Sequence, residues 1–399
     1  MNYPYKSKTL ERLGVRSWIN ASNWSTIYGG TWIDDRVLNC MNEVAKTFVD
    51  MYELLTKTGD KVAELCNVDA AYITCGAGAG IELSVAASMA GDNANVWKSF
   101  PNCSKVLKNE VTLPLGHYIA YMPQWGASGA SIVGYGQAGS MDLVTCKDIE
   151  GAITEQTCCL GYVESYNVVP RGKLPLSDVV RIAHKYDLPV IVDAASMLPP
   201  VSNLQKYFGL GADIVIFSGG KAIKAPNNTG MILGKGPKGE NIIESIRKYA
   251  FPNSGWGRGH KVSKEQIVGL VVALEIFINE GDSYYHSQMK NAQNIVEKLS
   301  QIPNLEACII PNDEKFHAHP TVPHVPRVKI EWDMDVIKLE PSQLDKAIAA
   351  EDPPIFLRDR DYYSYYTNKA WRIVDTYFLR DEELEIVIDR LKKIFNNYS

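Results

Sequence analysis

A serine, two glycines and a lysine, Ser218-Gly219-Gly220-Lys221, follow the apolar run Asp213-Ile214-Val215-Ile216-Phe217. That run is rich in β-branched residues and reads as a buried parallel strand. The four residues therefore sit where a strand ends, and open α/β sheets bind ligands at the carboxyl ends of their strands. The glycines admit a bulky ligand close to the backbone, and the lysine reaches back over it. A lysine held partly out of water has a lowered pKa and forms a Schiff base with an aldehyde. A second apolar run, Leu188-Pro189-Val190-Ile191-Val192, ends on Asp193. Its carboxylate and the lysine are expected in one crevice. Pyridoxal phosphate (PLP) uses both: the carboxylate keeps the pyridine nitrogen protonated, and the lysine holds the aldehyde carbon.

A phosphorylated ligand also needs an anion site. Ala70 to Thr74 reads as a strand, followed by Cys75-Gly76-Ala77-Gly78-Ala79-Gly80 and a helix from near Ile81. Strand, glycine turn and helix present backbone N–H groups at a helix start. A dinucleotide site would want G-x-G-x-x-G and an acidic residue at the end of a second strand. This run is G-x-G-x-G and suits a single phosphate better. Gly76, Ala77 and Gly78 then supply N–H donors and Ser218 a hydroxyl. His117, after the strand Glu110 to Leu113, is the flat side chain to cover the ring.

Each feature has a plainer use. Lys221 could be a solvated loop lysine, Asp193 a turn former, and the glycines a device for tight packing of helix on sheet. Three strand-end features compatible with one ligand outweigh those. A Ser-x-x-Lys acylase fails on order, because Lys57-Thr58-Gly59 precedes Ser218 and lies in an amphipathic helix.

The elements around these residues form an α/β pattern. Residues 1–30 read as an arm, with a strand-like core from Leu13 to Ala21 and the rings Trp18 and Trp24. Apolar spacing predicts a helix from Asp34 to Leu65 through Val37, Met41, Val44, Phe48, Met51 and Leu55. Strands Ser131–Tyr135, Cys158–Val163 and Thr229–Leu233 and helices Met141–Glu150 and Leu176–Lys185 continue the alternation. A mostly parallel sheet covered on both faces follows. Beyond Pro252 the texture changes to helices Lys264–Asn279 and Ser283–Ile302, strand Val328–Trp332, helix Ser342–Ala350, strand Pro354–Leu357 and helix Asp381–Asn396. The expected division is an arm over 1–30, a large ligand-binding domain over 31–255, and a smaller α+β domain over 256–399 with a linking helix. The boundary falls between Pro252 and Gly281.

Composition narrows the classes. Hydrophobic residues make up 46% and charged residues 22% of 399, ordinary for a globular protein. A net charge of -5 argues against a nucleic-acid partner. No apolar signal core opens the chain, and the greasy stretch Ile267–Ile278 is too short to span a bilayer, so the expected location is cytoplasmic. Eight cysteines lie scattered without metal or disulfide spacing. His317, His319 and His324 lack an acidic or thiolate companion, so no metal is expected.

These residues resemble the SelA-like branch of fold-type-I (aspartate-aminotransferase-like) PLP enzymes, which includes L-seryl-tRNA(Sec) selenium transferase and D-glucosaminate-6-phosphate ammonia-lyase. The carriers are Ile19-Asn20-Ala21, Gly29-Gly30, Phe48-Val49-Asp50, Thr74 to Gly80, Gly116-His117, Val192-Asp193-Ala194-Ala195, Phe217 to Lys221, Gly257-Arg258 and Lys264 to Leu270. The resemblance implies Lys221 as the Schiff-base lysine, Asp193 as partner of the ring nitrogen, and a homodimer or larger assembly with sites at the interface. It implies Thr229 as a contact to a neighbouring subunit's phosphate. Arg258 is the candidate clamp for a substrate carboxylate, and Asn23 a further substrate contact. Tyr118 stands where the family often has Arg, and Ala225-Pro226-Asn227-Asn228-Thr229-Gly230 is one residue longer than the family's stretch. Trp24, Tyr28 and Trp256 put large rings where related pockets are smaller, which leaves room for a smaller or aromatic amino acid as substrate.

The expected reaction is removal of an α-proton by Lys221, then β-elimination from an amino acid or amino sugar acid to a keto acid and ammonia. The alternatives are an amino-acid racemase or epimerase, or a selenium or sulfur transferase on an aminoacyl-tRNA. The acidic balance counts against the transferase.

Overall fold

The structure is a computed structural model that describes residues 6–103, 105–136, 144–165, 174–310, 325–358 and 368–398. It divides into two units, one holding Thr31–Gly281 and the other Met1–Gly30, Asp282–Asn312 and His324–Ser399. The amino-terminal residues thus fold with the carboxyl-terminal ones. Strand β1 there is only Ile19–Ala21, preceded by a short helix, Lys8–Arg12, capped by the Ser7 hydroxyl.

The larger unit contains strands β2 (Ala70–Thr74), β3 (Glu110–Pro114), β4 (Ser131–Tyr135), β5 (Thr157–Val163), β6 (Val190–Asp193), β7 (Ile214–Ser218) and β8 (Gly230–Gly234). They form one sheet in the order β2-β8-β7-β6-β5-β3-β4. Every pair is parallel except those of β8, which runs antiparallel to both β2 and β7. The link from Ser218 to Gly230 is too short for a crossover helix, so β8 must turn straight back. Because β8 reverses between them, β2 and β7 point the same way. The carboxyl ends of the six other strands and the amino end of β8 therefore lie along one edge of the sheet.

β5 is buried at every position, as are β6 and the first four residues of β7. Such strands are near-continuous apolar runs because helices cover both faces. Helix Ala77–Ala90 packs on β7 and β8, and helix Leu176–Lys185 packs on β5 and β6. Each fully buried Ile or Leu in these strands contributes about 1.5–3 kcal/mol.

Several expected elements differ. The helix expected over Asp34–Leu65 is two helices, Asp35–Ala45 and Met51–Cys66. Asp50 starts the second by accepting from the Tyr52 and Glu53 N–H groups, a stronger signal than continued apolar spacing. Phe48 lies in the break and is wholly exposed. The helix after the glycine turn begins at Ala77, four residues before Ile81. The one expected at Met141–Glu150 is Cys146–Ala152, and residues 141–143 lie outside the described residues. Helix Gly236–Tyr249 opens on Gly-Pro-Lys-Gly, which hides it from a periodicity search.

The two helices expected beyond Lys264 are a single helix of 36 residues, Lys264–Leu299. Gly281 does not break it. A Cβ there would come 3.0 Å from Val201 Cγ2, so this glycine serves close packing, not a turn.

In the smaller unit, β9 (Leu305–Ile309), β10 (Arg327–Asp333) and β12 (Lys369–Asp375) make an antiparallel sheet in the order β12-β10-β9. β1 pairs in parallel with β11 (Ile355–Leu357). Ile19, Trp332, Val387 and Phe395 belong to one apolar core, and Trp18 stacks on Phe356 at 3.9 Å. No helix among the described residues is long and apolar enough to cross a membrane.

Candidate active site

β6 and β7 are adjacent and parallel, so the residues just past them share the ligand-binding edge. Asp193 is the last residue of β6 and Lys221 lies three residues past β7. Asp193 is 5% exposed, and its Oδ1 accepts from the Ala195 N–H at 3.0 Å. Burial pushes its carboxyl up, opposed by that N–H and by the charge of Lys221. Lys221 is half-buried, and loss of water around its amine pushes it down to about 8, with Asp193 opposing. The two groups feel each other's charge, yet neither is fully satisfied. Among the described residues, neither Lys221 Nζ nor Asp193 Oδ2 has a hydrogen-bond partner.

The lysine loop is folded tightly on itself. The Gly219 N–H donates to Thr229 O at 2.8 Å, and the Ala225 N–H to Gly219 O at 3.0 Å. The Thr229 hydroxyl donates to Pro226 O at 2.7 Å, inside the loop, and Thr229 is fully buried. A Cβ on Gly219 would meet Thr229 Oγ1 at 2.3 Å. Lys224 is held at φ 60, and its Nζ lies 4.0 Å from the centroid of the Trp32 ring. Non-glycine residues in the left-handed region cluster at functional sites.

Gly76 has φ 130 and ψ 164, a conformation open to glycine alone, and caps helix Ala77–Ala90. The first N–H groups of that helix have no partner within it. β8 begins against this turn: a Cβ on Gly230 would lie 2.5 Å from Gly76 C. Ser218, half-buried at the end of β7, pairs with Gly230. The Ser218 position and the Gly76 turn thus flank one strand start. A Cβ added to Gly76 itself meets nothing within 4 Å, so the turn borders open space.

His117 is buried after β3, and its Nδ1 accepts from the Val163 N–H at 3.0 Å. That bond assigns the proton of the neutral ring to Nε2. The Tyr162 ring meets it edge-on, 4.7 Å between centroids. Arg258 is exposed on the one-turn helix Arg258–His260, and its guanidinium lies 5.4 Å from the Phe251 ring centroid.

Asn23 belongs to the smaller unit, where its amide serves its own turn. Its Oδ1 accepts from the Ser25 N–H and its Nδ2 donates to Ser22 Oγ. Trp24 is buried there against Tyr377 and Phe378, and Tyr28 packs on Phe356. His317, His319 and His324 lie outside the described residues. Among the described residues no three metal-binding side chains cluster.

Two features escaped the sequence. Glu164 and Ser165 are buried just past β5, and the Glu164 N–H donates to Asp193 O at 2.8 Å. Glu164 follows its strand much as Asp193 ends its own, and could have been found that way. The second is Cys75, His260 and Glu82, which no local pattern joins.

The donor set fits a phosphorylated pyridine aldehyde. It offers an amine of lowered pKa, a buried carboxylate with one oxygen that accepts from no donor among the described residues, and a glycine turn open at a helix start. Residues 127–323 match the family model for class-V aminotransferases. The chain is 30% identical over 390 residues to D-glucosaminate-6-phosphate ammonia lyase of Salmonella typhimurium (strain 14028s / SGSC 2262), covering 96% of this chain and 97% of the relative. It is 29% identical over 397 residues to 5'-C-glycyluridine monooxygenase-decarboxylase of a Streptomyces species, covering 97% and 92%. A solved structure of D-glucosaminate-6-phosphate ammonia-lyase superposes with a TM-score of 0.80 at 28% identity, over 98% of this chain and 99% of that one.

Proposed function

This chain belongs to the SelA-like branch of the fold-type-I pyridoxal-phosphate enzymes, alongside D-glucosaminate-6-phosphate ammonia-lyase, and we propose that Lys221 and Asp193 carry its reaction. It is a lyase that uses pyridoxal phosphate. In our reading its substrate is an amino acid or amino sugar acid with a β-leaving group, and its products are a keto acid and ammonia. The observation that carries this is a carboxylate at the end of one strand and an amine in the loop after its parallel neighbour.

When bound, pyridoxal phosphate supplies an electron sink for the bond broken at the substrate's α-carbon. Lys221 would hold its aldehyde carbon, and the neutral amine of Lys221 would take the proton from the substrate's α-carbon. An amine pushed down to about 8 keeps a usable neutral fraction near neutral pH, which both roles require. Asp193 Oδ2 would accept from the ring nitrogen, and His117 would flank the ring. The N–H groups of Gly76, Ala77 and Gly78 and the Ser218 hydroxyl would hold the phosphate. Thr229 holds the loop from within, since its own hydroxyl proton is committed to Pro226. Arg258, its guanidinium steadied on Phe251, clamps the substrate carboxylate.

We also read the enzyme as a homodimer or larger assembly. Phe48 is wholly exposed, with Leu38, Val49 and Tyr52 exposed nearby in sequence, and sedimentation of the purified protein tests this.

The reaction is tested with a panel of D- and L-amino acids and amino sugar acids in deuterated water. Ammonia and keto acid released together support elimination. Deuterium uptake without product would replace it with racemisation. Oxygen consumption with carbon dioxide release would replace it with oxidative decarboxylation.

A further inference from the structure

The reaction above leaves one cluster of chemistry-bearing side chains unused. His260 Nδ1 lies 3.9 Å from Cys75 Sγ, and its Nε2 lies 2.6 Å from Glu82 Oε1. Nucleophile, base and orienting carboxylate stand in sequence, the arrangement that activates a thiol. Hydrogen bonds to Cys75 and then Glu82 push the imidazole up to about 9, so it carries a proton at neutral pH. Cys75 directly precedes Gly76, the cap of helix Ala77–Ala90, and its Sγ faces the His260 imidazolium. The cluster is reachable: Cys75 is half-buried, and the His260 side chain is 24% exposed.

We propose that Cys75 is a nucleophilic thiol, activated by His260 and oriented through Glu82, that is modified by disulfides and other soft electrophiles. With a disulfide, Cys75 Sγ releases its proton to solvent and attacks one sulfur beside the His260 imidazolium. A new S–S bond forms, the reagent's own S–S bond breaks, and the departing thiolate takes up the proton. Cys75 is oxidised and half of the reagent is reduced, so no further oxidant is needed. An adduct at Sγ stands beside the Gly76–Gly78 turn and competes with phosphate there. That second half rests on the turn being the phosphate cradle.

The test treats the purified holoenzyme with limiting glutathione disulfide and maps the adducts by peptide mass. Cys308 is exposed and serves as the internal control. Cys75 is expected to react about tenfold faster than Cys308, since local activation outweighs exposure. His260→Asn is expected to bring Cys75 to the Cys308 rate or below it. Glu82→Gln is expected to slow it several-fold, which keeps the test open should the first variant fold badly. Cofactor-free protein is expected to label faster than the holoenzyme at Cys75 and no differently at Cys308, the bound cofactor protecting only the former. Faster reaction of Cys308, or a Cys75 rate indifferent to both variants, overturns the proposal. Rapid labelling without protection would keep the activated thiol and overturn the competition, and with it the cradle.

Discussion

Each unit buries a carboxylate near a cation, and the two pairs are built to opposite ends. In the smaller unit Arg327 Nε donates to Asp375 Oδ2 at 3.2 Å, with side chains 6% and 1% exposed. Asp375 Oδ1 accepts from the Tyr377 N–H at 3.0 Å, so both of its oxygens are used. In the larger unit Asp193 and Lys221 influence each other's titration without a hydrogen bond between them, and burial pushes each towards its neutral form. A satisfied buried pair holds a fold. An unsatisfied one keeps an amine and a carboxylate oxygen available for a ligand.

The largest expected effect concerns the unsatisfied pair. With the roles proposed for Lys221, Lys221→Ala is expected to lower kcat/KM by about 10⁴-fold or more. Steady-state assay of ammonia release checks it, and circular dichroism separates this from misfolding. Breaking the satisfied pair moves stability instead. Arg327→Met strands the Asp375 carboxylate and is expected to cost about 3–5 kcal/mol, read as a lowered calorimetric Tm.

Asp193→Asn is expected to lower kcat/KM by about 10²-fold while cofactor still attaches to Lys221. Absorbance separates these two effects. The smallest effect has the opposite sign to that of Arg327→Met. Lys221 ordinarily titrates at 10.5 and is pushed to about 8 in the folded chain. Between those values the unfolded chain binds more protons, so the cofactor-free protein should gain stability as pH rises from about 8 to about 10.5. Lys221→Met is expected to flatten that slope and to stabilise the cofactor-free protein at neutral pH. A destabilised Lys221→Met protein would show that the two pairs are alike.

Legibility in the sequence followed the range over which each feature is determined. β2, β4, helix Leu176–Lys185 and helix Asp381–Asn396 match their expected bounds, because each is a local run whose pattern sets it. The direction of β8 was also within reach, since so short a link admits only an antiparallel return. Where a local signal competed with the pattern, the signal won: Asp50 split the expected helix at Phe48. Where a long-range contact decided, the pattern misled. Gly281 looks like a turn and is a packing residue against Val201. The site divided likewise. Lys221, Asp193 and Gly76 stood out as candidates because each ends or closely follows a recognisable strand. His260 was not, since its partners, Cys75 and Glu82, lie 185 and 178 residues away.

The most direct measurement is to saturate the protein with pyridoxal phosphate, reduce it with borohydride, digest it and locate the reduced adduct by mass. A single stoichiometric adduct on Lys221, with visible absorbance lost on reduction, is the expected result. An adduct on Lys224 or elsewhere with Lys221 unmodified, or no adduct at all, would contradict the account.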